Sequence, residues 1–414
     1  LGIFKLCSIG LITNTMVNHG AQLLDLAQFL GLRRPAYFGI KHTFFRHFCA
    51  GETFAECLSV VQDLDAQNIG SILDFAMEGA GDDEKDYDDT AKNIMDTLSI
   101  AEKNQAGMGC LKVTGMASSS VLRQVSAHIR YQRNNPNHPL PSLYPLPPSP
   151  YHPSSRRDPL APAQAPPPLT AHAMESLSLL EARLDRIMEL AHAKNVNILV
   201  DAEETWLQPA IDYLIHKSMR KWNLNRPVVY QTIQFYLKDS NSQLLAELKG
   251  AEEEGFYYGV KCVRGAYMHA ERKVASSVGY PSPIHDTLAD SHASYDNAIA
   301  HLLTKTQADV LVASHNYNSA VRATNILREL GETEKGNNRR VTFGQLLGMS
   351  DFITNSLAQQ GFLSVKYVPF GPIDAVIPYL IRRAAENRDL LGATSIERDL
   401  LWRESVARLV GLRR

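Results

Sequence analysis

The sequence predicts an α/β protein whose eight parallel strands, each followed by a helix, close into a (β/α)8 barrel. Eight short apolar runs separated by helical patterns indicate a parallel sheet. Eight is the strand number that closes such a barrel, and the stretch that holds them accommodates its core of about 250 residues. A doubly wound open sheet is the rival arrangement. No glycine-rich phosphate loop follows the first strand, which counts against that rival.

The barrel follows an N-terminal helical segment, which we place at residues 1–60, and occupies residues 61–414. Apolar residues at helical spacing predict a helix over Gln22–Leu30, and an amphipathic helix over Glu56–Asp65 leads into the first strand. The predicted strands are Ile69–Phe75, Gly109–Thr114, Val196–Asp201, Val228–Gln234, Gly259–Val263, Asp309–Ala313, Val341–Leu346 and Leu363–Val368.

Helical patterns fill the intervals between these strands. An acidic turn at Asp82–Asp89 opens the first, which runs to about Asn104. The others are Ala173–Lys194, Pro209–Arg220, Ser240–Glu254, Thr287–Lys305, Ser319–Leu330 and Asp351–Gln360.

A proline-rich stretch interrupts the alternation after the second strand. Residues 134–170 hold most of the prolines of the chain, including Pro166–Pro168. Proline fits neither a helix interior nor a central strand, so we expect an extended or disordered insertion.

Net charge, cysteine pattern and the length of apolar runs limit the classes of function that fit this chain. The formal net charge of −2 gives no electrostatic case for nucleic-acid binding. The five cysteines show neither a CxxC pair nor a disulfide framework, which fits a reducing intracellular compartment. No apolar run is long enough for a membrane span, and the chain starts at Leu1, so a transit peptide is not visible.

Polar residues cluster near the predicted strand ends, where the active site of a (β/α)8 barrel lies. This set is cationic apart from one acid, Asp201, and is expected to bind an anionic group of a substrate or cofactor. Lys112 lies in an apolar strand and therefore needs a partner, for which Asp201 on the next strand is the natural choice. The set is Lys112, Asp201, Gln231, Lys261, Arg264, His315, Gln345 and Tyr367.

The final helix carries the most distinctive pattern. Tyr379, Arg382, Arg383 and Glu386 fall on one helix face, after a Gly-Pro turn that ends the last strand. Paired guanidinium groups can grip a carboxylate with two hydrogen bonds each. A solvent-exposed, salt-bridged helix is the plainer interpretation.

No zinc-like cluster and no GxSxG nucleophile motif occurs, so the anion-binding pocket points to an organic cofactor. Two other interpretations stay open. A barrel lyase would form a Schiff base on Lys112 or Lys261. A non-catalytic scaffold would present the proline-rich stretch. Taken alone, His315 could simply cap the helix that follows it.

From Lys41 to the C-terminus the chain resembles FAD-dependent proline dehydrogenases, in particular the mitochondrial enzymes of plants. The motifs that carry the resemblance are LKVT at Leu111, VDAEET at Val200, YQTIQFYLKD at Tyr230, KCVRGAYMHAERK at Lys261, SHN at Ser314, GQLLGM at Gly344, YVPFGP at Tyr367 and YLIRRAAEN at Tyr379.

The resemblance implies a TIM-type barrel with FAD at the carboxyl ends of its strands. It implies that Arg382, Arg383 and Lys112 hold the carboxylate of proline, with Asp201 beside them. Leu346, Tyr367 and Tyr379 match the apolar lid over the proline ring. The positions that match cofactor contacts are Val200, Gln231, Lys261, Val263, Arg264, Gly265, Ala266, Ser314, His315 and Glu386. Lys261 stands where bacterial members have Arg. The lysine keeps the positive charge but lacks the planar, two-pronged guanidinium group.

The implied reaction transfers a hydride from L-proline to FAD, gives 1-pyrroline-5-carboxylate and passes the electrons to a membrane quinone. Asp201, Lys261 and Lys112 are the implied catalytic residues. The implied setting is the matrix side of the mitochondrial inner membrane, with peripheral membrane association and functional coupling to pyrroline-5-carboxylate dehydrogenase. The related hydroxyproline dehydrogenases are the alternative, although Tyr at position 367 favours unsubstituted proline.

Overall fold

Eight parallel strands close into a barrel in chain order in the computed structural model of this protein. The structure describes residues 38–75, 83–104, 106–135, 160–332, 340–377 and 379–380, without the side chains of residues 43 and 44. The doubly wound alternative is wrong, because the first strand pairs with the eighth from Gly70↔Val365 to Phe75↔Phe370. The strands are β1 (Gly70–Phe75), β2 (Met108–Leu111), β3 (Asn197–Val200), β4 (Val229–Gln234), β5 (Gly259–Val263), β6 (Asp309–Ala313), β7 (Val341–Leu346) and β8 (Ser364–Phe370).

Helices form the outer layer, and several begin at a side-chain cap; Asp83, for example, accepts the Asp86 N–H at 2.9 Å. They are α1 (Phe54–Asp65), α2 (Glu84–Ala101), α3 (Ser119–Asn134), α4 (Ala171–Ala193), α5 (Gln208–Trp222), α6 (Ser240–Glu254), α7 (Met268–Val278), α8 (Leu288–Lys305), α9 (Tyr317–Glu329) and α10 (Asp351–Gln359). A π-helical turn (Lys41–Phe45), a short helix (Arg46–Phe48) and a 3-10 turn (Val113–Gly115) add to them. Residues 373–377 and 379–380 are also helical and are called the final helix below.

All eight predicted strands are confirmed, with bounds that differ by at most three residues. Two helices were not predicted, α3 and α7. The buried residues of α7 are Glu271 and Ala275, so the helix shows no apolar stripe in the sequence. The stripe of α3, which includes Leu122 and Val125, stands among polar residues next to the proline-rich stretch.

The sheet separates two apolar cores. The larger one lies between the strands and the helices, and a smaller one fills the barrel interior. Since side chains alternate along a strand, neighbouring residues point into different cores. The interior cluster consists of Ile72, Met108, Cys110, Leu199, Tyr230, Leu311 and Val365.

Polar side chains close the amino end of the barrel. The Arg226 guanidinium donates to Asn197 Oδ1 at 2.7 Å, and Asn197 Nδ2 donates to the Tyr230 hydroxyl at 3.2 Å. That hydroxyl donates to Asp309 Oδ2 at 3.1 Å. Burial raises the pKa of Asp309 to about 6. We call these four residues the basal plug.

Several predictions fall on residues outside the described ranges: the Gln22–Leu30 helix and most of the proline-rich stretch. The expected boundary at residue 60 falls inside α1, a helix that is continuous from Phe54 to Asp65. Among the described helices, none is both long and apolar enough to cross a membrane.

Candidate active site

Asp201 is the centre of an ion-pair cluster at the carboxyl end of the barrel. Its Oδ1 accepts from Lys261 Nζ at 2.5 Å, and its Oδ2 accepts from Lys112 Nζ at 3.1 Å. The Tyr367 hydroxyl also donates to Oδ2, at 3.1 Å. The predicted partnership between Lys112 and Asp201 is confirmed.

Parallel strand order brings these side chains together. Lys112 and Asp201 directly follow β2 and β3, which are neighbours in the barrel. Lys261 lies within β5 and Tyr367 within β8, and the Lys261 ammonium is 5.3 Å from the centre of the Tyr367 ring. The two lysines differ in depth, since the side chain of Lys112 is 23% exposed and that of Lys261 is 9% exposed.

A second acid changes the predicted charge of the site. Asp74, on β1, is buried, and its Oδ2 lies 4.0 Å from Lys112 Nζ. Asp74 and Asp201 together balance Lys112 and Lys261. The expectation of a single acid is therefore wrong for the described residues, whereas Arg264 still leaves the predicted set with a positive charge.

Electrostatic interactions keep Asp201 and Lys112 charged. Burial alone would raise the pKa of Asp201, but Lys261 and Lys112 outweigh it and hold that pKa well below its usual range. Burial would likewise lower the pKa of Lys112, whereas Asp74 and Asp201 raise it well above its ordinary value. Lys112 is therefore a fixed cation rather than a proton acceptor.

Neutral groups lie beneath this cluster. The Cys110 thiol donates to the Tyr367 hydroxyl at 3.3 Å and to the Leu73 carbonyl at 3.5 Å. Burial raises the pKa of Cys110 and of Tyr367, so the thiol and the phenol both keep their protons. Tyr367 is thus fixed by one donor from below and by one acceptor, Asp201, from above.

Glu203 links the loops that follow β2 and β3. Its carboxylate accepts from the Thr114 N–H at 3.1 Å and from the Thr114 hydroxyl at 2.5 Å. Burial raises the pKa of Glu203 to about 7 although both Thr114 bonds act against it. The Glu203 carbonyl accepts from Gln234 Nε2 at 2.9 Å, which joins β4 to the same loop.

Arg264 organises the opposite side of the carboxyl end. Its guanidinium donates to Ser314 Oγ and to Ser319 Oγ, each at 2.8 Å, and to His292 Nδ1 at 2.7 Å. Burial and then the charge of Arg264 lower the pKa of His292, so this imidazole stays neutral and accepts the bond. The guanidinium also lies 4.3 Å from the centre of the Tyr295 ring.

The other predicted residues on this side follow β5 and β6. Gly265 has a positive φ of 139°, and a Cβ there would lie within 2.5 Å of the Tyr236 ring. His315 Nε2 accepts from the Leu346 N–H at 3.1 Å. His315 is not the helix cap, because Asn316 caps α9. Ala266 and Val263 complete this edge, the former exposed and the latter half-buried.

Two predicted cofactor residues, Gln231 and Val200, point outward from the barrel toward the helices. Gln231 Nε2 donates to Asp212 Oδ1 at 2.9 Å, and Gln231 Oε1 accepts from the Tyr258 hydroxyl at 2.7 Å, so the side chain lies between the barrel wall and α5. Val200 is buried in the outer core. The structure brings neither side chain to the carboxyl end, because each alternates with an interior neighbour. Gln345 also points outward, accepting from Thr354 Oγ1 of α10 at 2.8 Å.

The polar side chain that β4 sends to the carboxyl end is Gln234, which was not predicted. Once Tyr230 is known to point into the barrel, strand parity identifies Gln234, which stands an even number of residues from it. The same rule finds Asp74, two residues after the interior residue Ile72.

The predicted lid residues are partly described. Tyr379 is buried in a small apolar cluster against which Leu346 packs. Arg382, Arg383 and Glu386 lie outside the described residues. Within the described part, no group of His, Cys, Asp and Glu side chains could hold a metal ion.

Comparisons with known proteins agree on one family. A family model described as proline dehydrogenase matches residues 57–395. The chain is 36% identical over 391 residues to "Proline dehydrogenase 2, mitochondrial" of Arabidopsis thaliana, covering 90% of this chain and 79% of that protein. It is 33% identical over 424 residues to "Hydroxyproline dehydrogenase" of Xenopus laevis, covering 99% of this chain and 86% of that protein.

A solved structure shares the fold. Proline utilization A (PutA) from Bdellovibrio bacteriovorus, inactivated by N-propargylglycine, superposes with a TM-score of 0.66 at 20% identity. The match covers 86% of this chain and 33% of that chain. At this identity the likeness shows the barrel fold alone.

Proposed function

This chain belongs to the proline dehydrogenase family, and from that premise we propose that it oxidises L-proline to 1-pyrroline-5-carboxylate with FAD as the cofactor. The observation that carries the proposal is the Lys112–Asp201–Lys261 cluster beside the Tyr367 ring. It offers charged groups for a small zwitterion and an aromatic surface for its ring. We further propose that the barrel with its preceding α1 is the catalytic unit.

The substrate carboxylate needs cations beyond those described. Asp74 and Asp201 already neutralise Lys112 and Lys261, so an anion gains little from the balanced cluster alone. Arg382 and Arg383, a short way along the chain from Tyr379, would supply the missing positive charge. We therefore assign the carboxylate to the arginine pair and Lys112, and the ring to Tyr367, Tyr379 and Leu346.

The proton on the substrate nitrogen must leave before a hydride can. Three groups of the described cluster are poor acceptors for it, because Asp201 has a lowered pKa and Tyr367 and Cys110 keep their protons. Proline is therefore expected to bind or react as the free amine and to release that proton to water. This predicts that kcat/KM rises with pH on the alkaline side of neutrality.

The residues at the carboxyl edge suit a flavin. A flavin gains negative charge when it accepts a hydride, and this is the chemistry it would supply here. Lys261 offers a buried cation, and Arg264, Ser314 and His315 offer a polar edge beside the N-terminus of α9. Gln234 is a further candidate on β4, in place of Gln231 and Val200. Glu386 stays a candidate from sequence.

The electron acceptor and the setting are proposals of the same kind. We propose a membrane quinone as acceptor, reached by peripheral association with the matrix side of the mitochondrial inner membrane. The mitochondrial name of the plant relative supports the compartment. We also propose functional coupling to a pyrroline-5-carboxylate dehydrogenase, which would consume the product.

Hydroxyproline oxidation is the second candidate, and the similarity to the Xenopus protein favours it. The Tyr367 hydroxyl lies next to Asp201 and uses one of its acceptor sites. Tyr367→Ser would free volume and leave Asp201 able to accept from a 4-hydroxyl group. We expect this variant to raise the kcat/KM ratio of 4-hydroxyproline to proline by about tenfold or more. Wild-type protein that already prefers 4-hydroxyproline would make it the natural substrate.

An absorption spectrum of the purified protein tests the proposal. We expect flavin bands, a released cofactor with the mass of FAD, and bleaching on addition of L-proline without oxygen. A colourless protein, or bands that proline leaves unchanged, would overturn it. Borohydride trapping of a carbonyl substrate on a lysine would establish the lyase instead; the raised pKa of Lys112 disfavours that residue as the nucleophile.

A further inference from the structure

The segment from Lys41 to Glu52 is packed against two parts of the barrel mouth. The Ala50 N–H donates to the Pro369 carbonyl at 2.9 Å, and the Gly371 N–H donates to the Gly51 carbonyl at 2.9 Å. These bonds tie the segment to the end of β8 and to the turn before the final helix. On the other side, a Cβ at Gly348, after β7, would collide with the carbonyl oxygen of His47.

An apolar cluster joins the same segment to the final helix. Its members are Phe45, Phe48, Cys49, Met349, Ile373, Val376, Tyr379 and Leu380, all buried. Leu346 packs against this cluster. Two of the three residues proposed to cover the substrate ring, Tyr379 and Leu346, are therefore supported by the Lys41–Glu52 segment.

Glu52 is the polar end of this contact. Its Oε2 accepts from the Ile373 N–H, in the first turn of the final helix, at 3.2 Å. Its other carboxylate oxygen forms an ion pair with Lys41. The hydrogen bond from Lys41 is the main cause that lowers the pKa of Glu52, so the carboxylate stays ionised at neutral pH. A negative charge at the N-terminus of a helix stabilises that end.

The fit around Glu52 leaves little freedom. The Glu52 N–H donates to Glu56 Oε2 at 2.6 Å, at the start of α1. Gly51 has a φ of 137°, and a Cβ there would lie 2.5 Å from the same Glu56 oxygen. The Glu52 backbone is thus held from α1, and its side chain reaches across to the final helix.

We propose that Glu52, with Lys41, is a positioning residue that fixes the start of the final helix and so the wall of the substrate pocket. The inference rests on the proposed function, because the pocket wall matters only if the mouth binds proline. Arg382 and Arg383 follow in the chain after the anchored turn. Loss of the anchor is expected to weaken substrate binding more than it slows the chemical step.

Two variants of Glu52 test this. Glu52→Gln removes the charge and the ion pair but keeps an oxygen for the Ile373 N–H, whereas Glu52→Ala removes both. We expect the KM for proline to rise about fivefold in Glu52→Gln and more in Glu52→Ala, with kcat within about twofold of wild type. Cyclopentanecarboxylate has the ring and carboxylate of proline but no nitrogen, so it should bind without being oxidised. Its dissociation constant, measured from the change in flavin absorbance, should rise together with KM.

A matched control is Glu102→Gln. Glu102 pairs with Lys194 at 2.8 Å, and the lysine side chain is 24% exposed, against 35% for Lys41. This pair follows α2 and α4 at the amino end of the barrel. This variant should leave KM and the dissociation constant unchanged.

The outcomes separate this inference from the proposed function. Wild-type protein that is not bleached by proline would remove the function itself. A bleachable wild type with unchanged KM in Glu52→Ala would overturn the positioning role alone. A fall in thermal stability or flavin content of both variants, with KM unchanged in the folded fraction, would also overturn it, because that pattern indicates a purely structural contact.

Discussion

At the scale of single residues, the site depends on one carboxylate that serves two lysines at different depths. Lys261 is nearly enclosed, and its bond to Asp201 compensates the cost of burying its charge. Lys112 is nearer the opening and is also close to Asp74. The two lysines therefore depend on Asp201 to different extents.

Asp201→Asn should leave Lys261 without its counter-ion. We expect the free energy of unfolding to fall by about 3–5 kcal/mol, because a buried charge is left uncompensated. The measurement is urea unfolding followed by circular dichroism, together with the KM for proline. Asp185→Asn is the control, since Asp185 pairs with Lys221 at 3.0 Å on the surface and should contribute under about 1 kcal/mol. Equal effects of the two substitutions would contradict the account.

Glu203 makes stability depend on pH near neutrality. Its pKa is about 7 in the folded protein, against 4.5 for an exposed glutamate. Between these values the folded state binds a proton that the unfolded chain releases, so the stabilisation is greatest below pH 4.5 and is lost as pH rises through 7. The loss is on the order of 3 kcal/mol.

The corresponding measurement is the free energy of unfolding of wild type and Glu203→Gln from pH 5 to pH 8. The difference between the two proteins should shift in favour of the variant as pH rises through this range. A difference that stays constant with pH would show that Glu203 does not titrate there.

The sequence predicted which residues form ion pairs better than it predicted which side chains point into the barrel. An apolar strand that contains Lys112 signals a paired charge, and Asp201 is its partner as expected. The strands are buried on both faces, so hydrophobicity does not reveal which residues point inward. Gln231 was therefore assigned to the mouth, which in fact receives Gln234.

At the scale of elements, the connection from β5 to α7 depends on one glycine, Gly265, because no larger residue fits at its position. Gly265 has a backbone conformation that other residues adopt with strain, and the Tyr236 ring fills the place of its Cβ. Tyr236 follows β4, so this contact joins two neighbouring strand ends.

Gly265→Ala should therefore be costly. We expect the free energy of unfolding to fall by about 3 kcal/mol or more, from backbone strain plus the collision with Tyr236. Gly255→Ala is the matched control, because Gly255 also has a positive φ, 73°, but its Cβ would meet nothing within 4 Å. That control should lose only about 1 kcal/mol, measured by the same urea unfolding.

The helices that sequence analysis did not find have a physical explanation. Helix α7 is held by Glu271, which accepts from the Thr205 N–H and hydroxyl, each at 2.7 Å. Polar contacts of this kind leave no periodic apolar signal. The strands, in contrast, are continuous apolar runs that end at polar residues, and they were recognised.

At the scale of the whole molecule, the barrel wall accepts the proline-rich insertion without losing its packing. The helices on either side, α3 and α4, bury Leu122, Val125, Leu177 and Leu180 in the outer core. This burial predicts that the positions of the two helices are independent of the segment that connects them.

Replacing residues 136–159 with a Gly-Ser linker of equal length tests this independence. We expect flavin content and kcat/KM for proline to stay within about twofold of wild type, since loop composition at constant length changes closure entropy little. Loss of catalysis with retained folding would instead give the segment a part in the reaction.

The basal plug has a consequence for how substrate and product enter and leave the barrel. Arg226, Asn197, Tyr230 and Asp309 are bonded across the amino end, so we expect reactant and product to use the carboxyl end alone. Reactant and product must then enter and leave through the same opening at the carboxyl end, one after the other. Steady-state velocities measured against proline and an electron acceptor should accordingly give parallel double-reciprocal lines, the signature of two half-reactions that alternate.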